Sequence, residues 1–163
     1  MRREYGWSLR GERTYGKRLG GSWKTLSLIG AIRLGERPRL MTHRGAINGR
    51  TFLHFIRRRL IPSLRMGDIV VLDNLSTHKM RAVREAIEAA HARVMFLPTY
   101  SPELNPIELW WADLKRDLRT LAIDSQDELA RAARRLRASL PLTKIRGWFR
   151  FARSHAQLNR SRL

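Results

Sequence analysis

Asp73 and Glu108 are carboxylates set at the boundaries of periodic segments, and divalent-cation binding is the chemistry open to them together. Asp73 stops the apolar run Ile69-Val70-Val71-Leu72 and is followed at once by Asn74. Glu108 closes Ser101-Pro102-Glu103-Leu104-Asn105-Pro106-Ile107-Glu108, where Pro102 and Pro106 bracket a turn that starts a helix. Hard oxygen ligands suit Mg²⁺ or Mn²⁺, so two such acids brought to one place could share a cation. His78, five residues after Asp73, could serve as a metal ligand or general base; more often a His in the first turn of a helix only bonds locally. Each acid also has a plain structural account. Asp and Asn favour turns through side-chain bonds to their own backbone, and Asn105-Pro106-Ile107-Glu108 fits an N-cap, a proline at the first helical position and an acid at the third.

The elements between the two acids give the reason to read them together. A helix is expected over roughly 77–91, with Val83, Ile87 and Ala90 on one face, followed by a second apolar run, Val94-Met95-Phe96-Leu97, closed by Pro98. Strand, helix, strand, helix in this order implies a right-handed crossover and two parallel neighbouring strands. In such a sheet the carboxyl ends of the strands lie along one edge, where ligands bind. Asp73 ends one strand and Glu108 begins the helix after the other, so acids 35 positions apart arrive at one edge.

The chain has 163 residues, enough for one domain with a real core, and 43% hydrophobic residues favour a globular class over disorder. Its formal charge of +19 points to a polyanionic partner, most simply nucleic acid. Of its 33 basic residues 28 are Arg, a side chain that forks onto phosphates with two bonds, although genome composition could also supply Arg for Lys. There is no Cys, which excludes disulfides and thiolate zinc sites. No apolar run approaches membrane-spanning length, and the basic start MRREYGWSLRGER lacks the apolar core of a signal peptide. A soluble, cytoplasmic protein is expected, associated with the nucleoid if bound to DNA.

Along the rest of the chain, residues 1–21 carry five Gly amid Arg and Lys and read as turns or a loose hairpin. A strand is expected over 23–32, a turn at 34–38, and an antiparallel partner at 39–43. Asn48 is placed to cap a helix reaching Leu60, with Phe52, Phe55, Ile56 and Leu60 inward and Arg57, Arg58 and Arg59 outward. The helix begun at Pro106 continues through Trp110, Trp111, Leu114 and Leu118, and its Asp113 and Asp117 read as a solvated or salt-bridged face. A further helix should run from Asp124-Ser125 to Leu140. From Leu129 to Leu163 there are ten Arg or Lys and no Asp or Glu. In this part Arg131, Arg134, Arg135, Arg137, Lys144 and Arg146 are candidate DNA contacts, whereas at least two of Trp148, Phe149 and Phe151 read as core.

The phrases VLDNLSTHK and SPELNPIELWWADLK resemble the second and third acids of the DDE transposases, in the Tc/mariner-like branch that includes many bacterial insertion sequences. That branch typically leaves 34 residues between these acids, and residues 74 to 107 number 34. The resemblance implies an α/β, ribonuclease-H-like mixed sheet with flanking helices. It implies Asp73 and Glu108 as catalytic Mg²⁺ or Mn²⁺ ligands, with Asn74, His78, Asn105 and Pro106 supporting the motif. The reaction implied is metal-dependent cleavage and strand transfer of DNA at insertion-sequence ends, with transposon ends and target DNA as partners and no membrane. Relatives also supply a first Asp from a central first strand. Upstream of Asp73 the acids are Glu4, Glu12, Glu36 and Asp68, and none ends an apolar strand. The expectation is therefore a single partial catalytic domain over 1–163, with its core at about 5–121 and a basic helical part at about 122–163. It should lack its first strand and be inactive alone. An upstream transposase segment or a second protomer would complete it; the alternative is a non-catalytic, basic nucleic-acid-binding remnant.

Overall fold

The structure, a computed structural model, describes residues 25–160. Glu4, Glu12 and the glycine-rich opening lie outside the described residues. Strand β1 (Leu26–Arg33) and strand β2 (Glu36–Arg44) form an antiparallel hairpin in which Leu28 faces Thr42 and Gly30 faces Leu40. Its turn is shorter than the sequence suggests. It closes at Leu34-Gly35, where Gly35 takes φ 82°, a left-handed conformation that glycine adopts without a Cβ clash.

Asn48 caps helix α1 (Gly49–Phe55) by accepting from the Thr51 backbone N–H at 2.9 Å. The helix does not run regularly to Leu60. Ile56–Leu60 widens into a π turn and Ile61–Ser63 tightens into a 3₁₀ turn. Pro62 supplies the reason: it has no N–H to donate, and its ring would meet the carbonyl four residues back in a regular helix. Strands β3 (Ile69–Leu72) and β4 (Arg93–Phe96) are parallel, with Val70 opposite Val94. Helix α2 (Arg81–Glu88) connects them and is shorter than the expected 77–91. Its first turn is replaced by a hydrogen-bonded turn in which the His78 and Lys79 N–H groups donate to the Leu75 carbonyl. Helices α3 (Pro106–Thr120), α4 (Gln126–Ser139) and α5 (Leu142–Arg160) complete the chain.

Strand alternation distributes the hairpin between two apolar clusters. Ile29, Ala31 and Met41 face a cluster built from Phe52, Phe55, Ile56, Leu60, Val83 and Ile87. Leu28, Ile32 and Leu40 face a second one, built from Trp110, Leu114, Leu118, Ala132, Ala133, Ile145 and Trp148. Gly30 lies on that second face, where any Cβ would collide with the Trp110 and Trp111 rings. The β3–β4 pair is covered on one face only. Val70, Leu72 and Val94 join the first cluster, whereas Ile69, Val71 and Met95 are exposed.

The fold is the ribonuclease-H-like α/β class expected, with helices flanking short strands. Its sheet is divided into two pairs, β1–β2 and β3–β4. Among the described residues each of the four strands therefore keeps one side without a strand partner. No helix among the described residues is long and apolar enough to cross a membrane.

Candidate functional site

Asp73 follows β3 directly, and its position is fixed by a backbone bond before it and a side-chain bond after it. The Leu97 N–H donates to the Leu72 carbonyl at 2.8 Å, and the Asn74 side-chain amide donates to the Leu97 carbonyl at 2.5 Å. Asn74 thus ties the ends of the two parallel strands together. Asp73 Oδ1 accepts from the Leu75 backbone N–H at 3.1 Å, an Asx turn that orients the carboxylate. His78 Nδ1 lies 2.5 Å from the same oxygen. The spacing is that of an ion pair, but the N–H direction makes no aligned hydrogen bond, and this nitrogen is buried without another partner. The ring is held against Phe52, with centroids 4.3 Å apart. His78 belongs to the turn before α2, not to the helix, and that bend brings it back onto Asp73.

Glu108 reaches the site from the first turn of α3. Asn105 opens this helix, its side-chain oxygen accepting weakly from the Ile107 N–H at 3.4 Å, with Pro106 at the first helical position. Asp73, Asn74, Asn105 and Glu108 all line one surface hollow of about 170 Å³, with Leu97 to Pro102 along its wall. The crossover geometry therefore does bring the two acids to one strand edge. Two carboxylates and amide oxygens are hard donors, a set that fits Mg²⁺ or Mn²⁺. Among the described residues no group of three His, Cys, Asp or Glu stands together as a metal-binding cluster. No third acid joins this donor set among the described residues.

Tyr100 was not singled out by sequence. It lies on the wall of this hollow, 96% exposed, with φ 58°. Only the flanking Pro98 and Pro102, which mark an irregular loop, hinted at it.

The basic residues of the C-terminal helices divide into two groups. Arg131, Arg134, Arg135 and Arg146 are exposed. Arg137 donates to the Pro38 carbonyl at 3.2 Å, and Lys144 pairs with Asp113 at 2.9 Å. Those two cations hold α4 to β2 and α5 to α3. Asp113 and Asp117 also pair with Arg116, as a salt-bridged face should. Trp148 is buried and Phe149 packs beside it, while Phe151 is exposed against His155.

Three comparisons with known proteins bear on this geometry. Residues 1–130 match the family model described as DDE superfamily endonuclease. No curated protein matches the chain. A solved Mos1 strand transfer complex shares its fold at a TM-score of 0.66 and 18% identity, over 94% of this chain and 48% of that one. A structure of the Mos1 transposase catalytic domain with raltegravir and Mg matches at a TM-score of 0.55 and 16% identity, over 78% of each chain. The present chain thus spans about half the length of the transposase chain in the strand transfer complex.

Proposed function

Because the chain belongs to the DDE superfamily endonuclease family, we propose that it supplies two of the metal-binding carboxylates of a transposase catalytic domain, Asp73 and Glu108. The observation that carries the reading is their shared hollow at the carboxyl ends of two parallel strands. Asp73 and Glu108 would hold Mg²⁺ or Mn²⁺, which when bound activates an attacking oxygen and stabilises a leaving one during phosphoryl transfer. The protein's own part is to keep these acids in place. Asn74 fixes the strand ends, the Leu75 N–H orients Asp73 with His78 close beside it, and Asn105 starts the helix that presents Glu108. The substrate is DNA at insertion-sequence ends, a reading supported by the +19 charge and the Mos1 strand transfer complex as a fold neighbour.

Two-metal chemistry needs more than two acids, and the described residues bring no third one to the hollow. A third carboxylate is proposed to come from an upstream segment or another protomer, so that this chain alone does not cut. The test compares three proteins on a labelled insertion-sequence end with Mg²⁺. They are the 163 residues alone, the same chain joined to an upstream segment whose strand ends in Asp, and the joined form carrying Asp73→Ala. Cutting only by the joined form is expected. Metal-dependent cutting by the chain alone, abolished by Asp73→Ala, would overturn the incomplete-site reading. In parallel, Asp73→Asn should weaken Mn²⁺ binding, read by calorimetry, by at least the roughly 10–100-fold that loss of a ligand's supporting partner costs. The second reading, a non-catalytic nucleic-acid-binding protein, is favoured by the +19 charge and by the lack of a third acid beside the hollow among the described residues; it predicts DNA binding that persists while the joined form stays inert.

A further inference from the structure

A second basic surface, on the outer face of α1 and the turn that follows it, is used by nothing described so far. Arg50, His54, Arg57 and Arg58 line a shallow hollow of about 290 Å³ together with Leu53. Their spacing puts them along one side of the helical segment. The opposite side, Phe52, Phe55, Ile56 and Leu60, is buried in the first apolar cluster, so the basic stripe sits on an anchored element. The π turn at Ile56–Leu60 carries Arg57 and Arg58, and such turns occur often at functional sites.

Among the described residues no carboxylate pairs with Arg50, Arg57 or Arg58. Acids that pair do so elsewhere: Asp68 with Arg33, Glu36 with Arg65, Glu85 with Arg81, Asp113 and Asp117 with Arg116, Asp127 with Arg44, and Asp73 lies beside His78. Three permanently charged guanidiniums around one concavity repel each other, and the repulsion is relieved when a polyanion enters. Guanidinium forks match phosphate oxygens with paired N–H donors. From Arg50 to Arg58 the segment rises about 12 Å, the axial length of roughly three to four base pairs. That reach suits neighbouring phosphates of a duplex better than one small anion.

We propose that the Arg50–Arg58 face is a contact for the phosphate backbone of duplex DNA, separate from the exposed arginines of α4 and α5, and that it grips DNA without reading sequence. The proposal rests on the DNA-substrate reading above, and its test keeps the two apart. Binding of a random-sequence duplex by the full chain is measured across a salt series for wild type, for Arg50→Gln/Arg57→Gln/Arg58→Gln, and for Arg50→Lys/Arg57→Lys/Arg58→Lys. The Gln variant should bind roughly tenfold or more weakly, and its log–log salt slope should fall by about 2–3. The Lys variant should keep most of the slope. Phenylglyoxal labelling of the wild-type chain, read by mass spectrometry, gives an arm independent of variant folding, and duplex DNA should protect these three arginines. Wild-type binding with an unchanged Gln variant, or labelling that DNA leaves unaltered, would overturn this surface alone. A wild-type chain that does not bind duplex at all removes the DNA reading and the surface with it. Tighter, Arg-dependent binding of single-stranded RNA than of duplex would assign the face to another polymer and overturn the proposal.

Discussion

Tyr100 shows how one residue can bear a local cost at a site. At φ 58° its Cβ crowds the following carbonyl, a conformation that costs L-residues about 1–2 kcal/mol and glycine nothing. Its side chain is 96% exposed, so packing recovers little of that. Glycine is ordinarily less stabilising than alanine because it loses more backbone entropy. At this position the order should invert: Tyr100→Gly should be more stable than Tyr100→Ala by about 1 kcal/mol in denaturant melts. Equal stabilities, or the usual order, would mean that the left-handed backbone is not held in solution. Arg137 and Lys144 illustrate the converse at the same scale. Both were expected on the DNA-facing side, and each instead meets an acceptor on a neighbouring element. Sequence gives their charge but not the position of Pro38 or Asp113 beside them.

Between elements, a polar staple joins β1 and the start of β2 to the loop that leads into β3. Asp68 accepts from the Arg65 backbone N–H at 2.6 Å and pairs with Arg33, while Arg65 also reaches Glu36 at 2.9 Å. The Arg65 N–H first, and then the Arg33 guanidinium, hold the Asp68 carboxyl below its ordinary 3.8, against some desolvation. A carboxylate lowered in the folded state adds stability above its unfolded value, and that stability is lost as pH falls through the folded one. The staple should therefore be intact at neutral pH and weaken only below about pH 3.8. Asp68→Asn should lower the melting temperature at pH 7 and flatten its decline below pH 4; an unchanged acid limb would assign acid unfolding to other groups. The hairpin's other face makes a steric prediction. Gly30→Val would push a side chain into the Trp110–Trp111 stack, whose centroids are 4.6 Å apart, and should cost about 1–3 kcal/mol. A neutral result would show that α3 can move off β1.

For the whole molecule, charge and core are interleaved in the C-terminal third. Arg131, Arg134 and Arg135 are exposed on the helix that buries Ala132 and Ala133. Deleting residues 129–163 would strip Ala132, Ala133, Ile145 and Trp148 from the second apolar cluster, so a truncation would test folding before it tested binding. Surface substitution separates the two. DNA affinity should fall steeply with salt, by about −0.9 in log–log slope per phosphate contact, and Arg131→Gln/Arg134→Gln/Arg135→Gln should flatten that slope without shifting the melting temperature. Binding that barely responds to salt would contradict an electrostatic footprint from the +19 chain.

Local patterns in the sequence determined most of the elements. The alternation of 26–32, the Asn48 cap, the apolar runs ending at Leu72 and Leu97, and the Asn105-Pro106 helix start all rest on forces acting within a few residues. The order strand, helix, strand, helix was enough to bring Asp73 and Glu108 to one edge, because parallel pairing forces both carboxyl ends to the same side. Tertiary structure alone decided the shortening of α2 that turns His78 onto Asp73, the spending of Arg137 and Lys144 on contacts within the chain, and the hollow that opens beside the helical stripe of Arg50, Arg57 and Arg58. Each of these depends on a partner many residues away or on how a turn bends. A periodicity read along the chain carries no information about either.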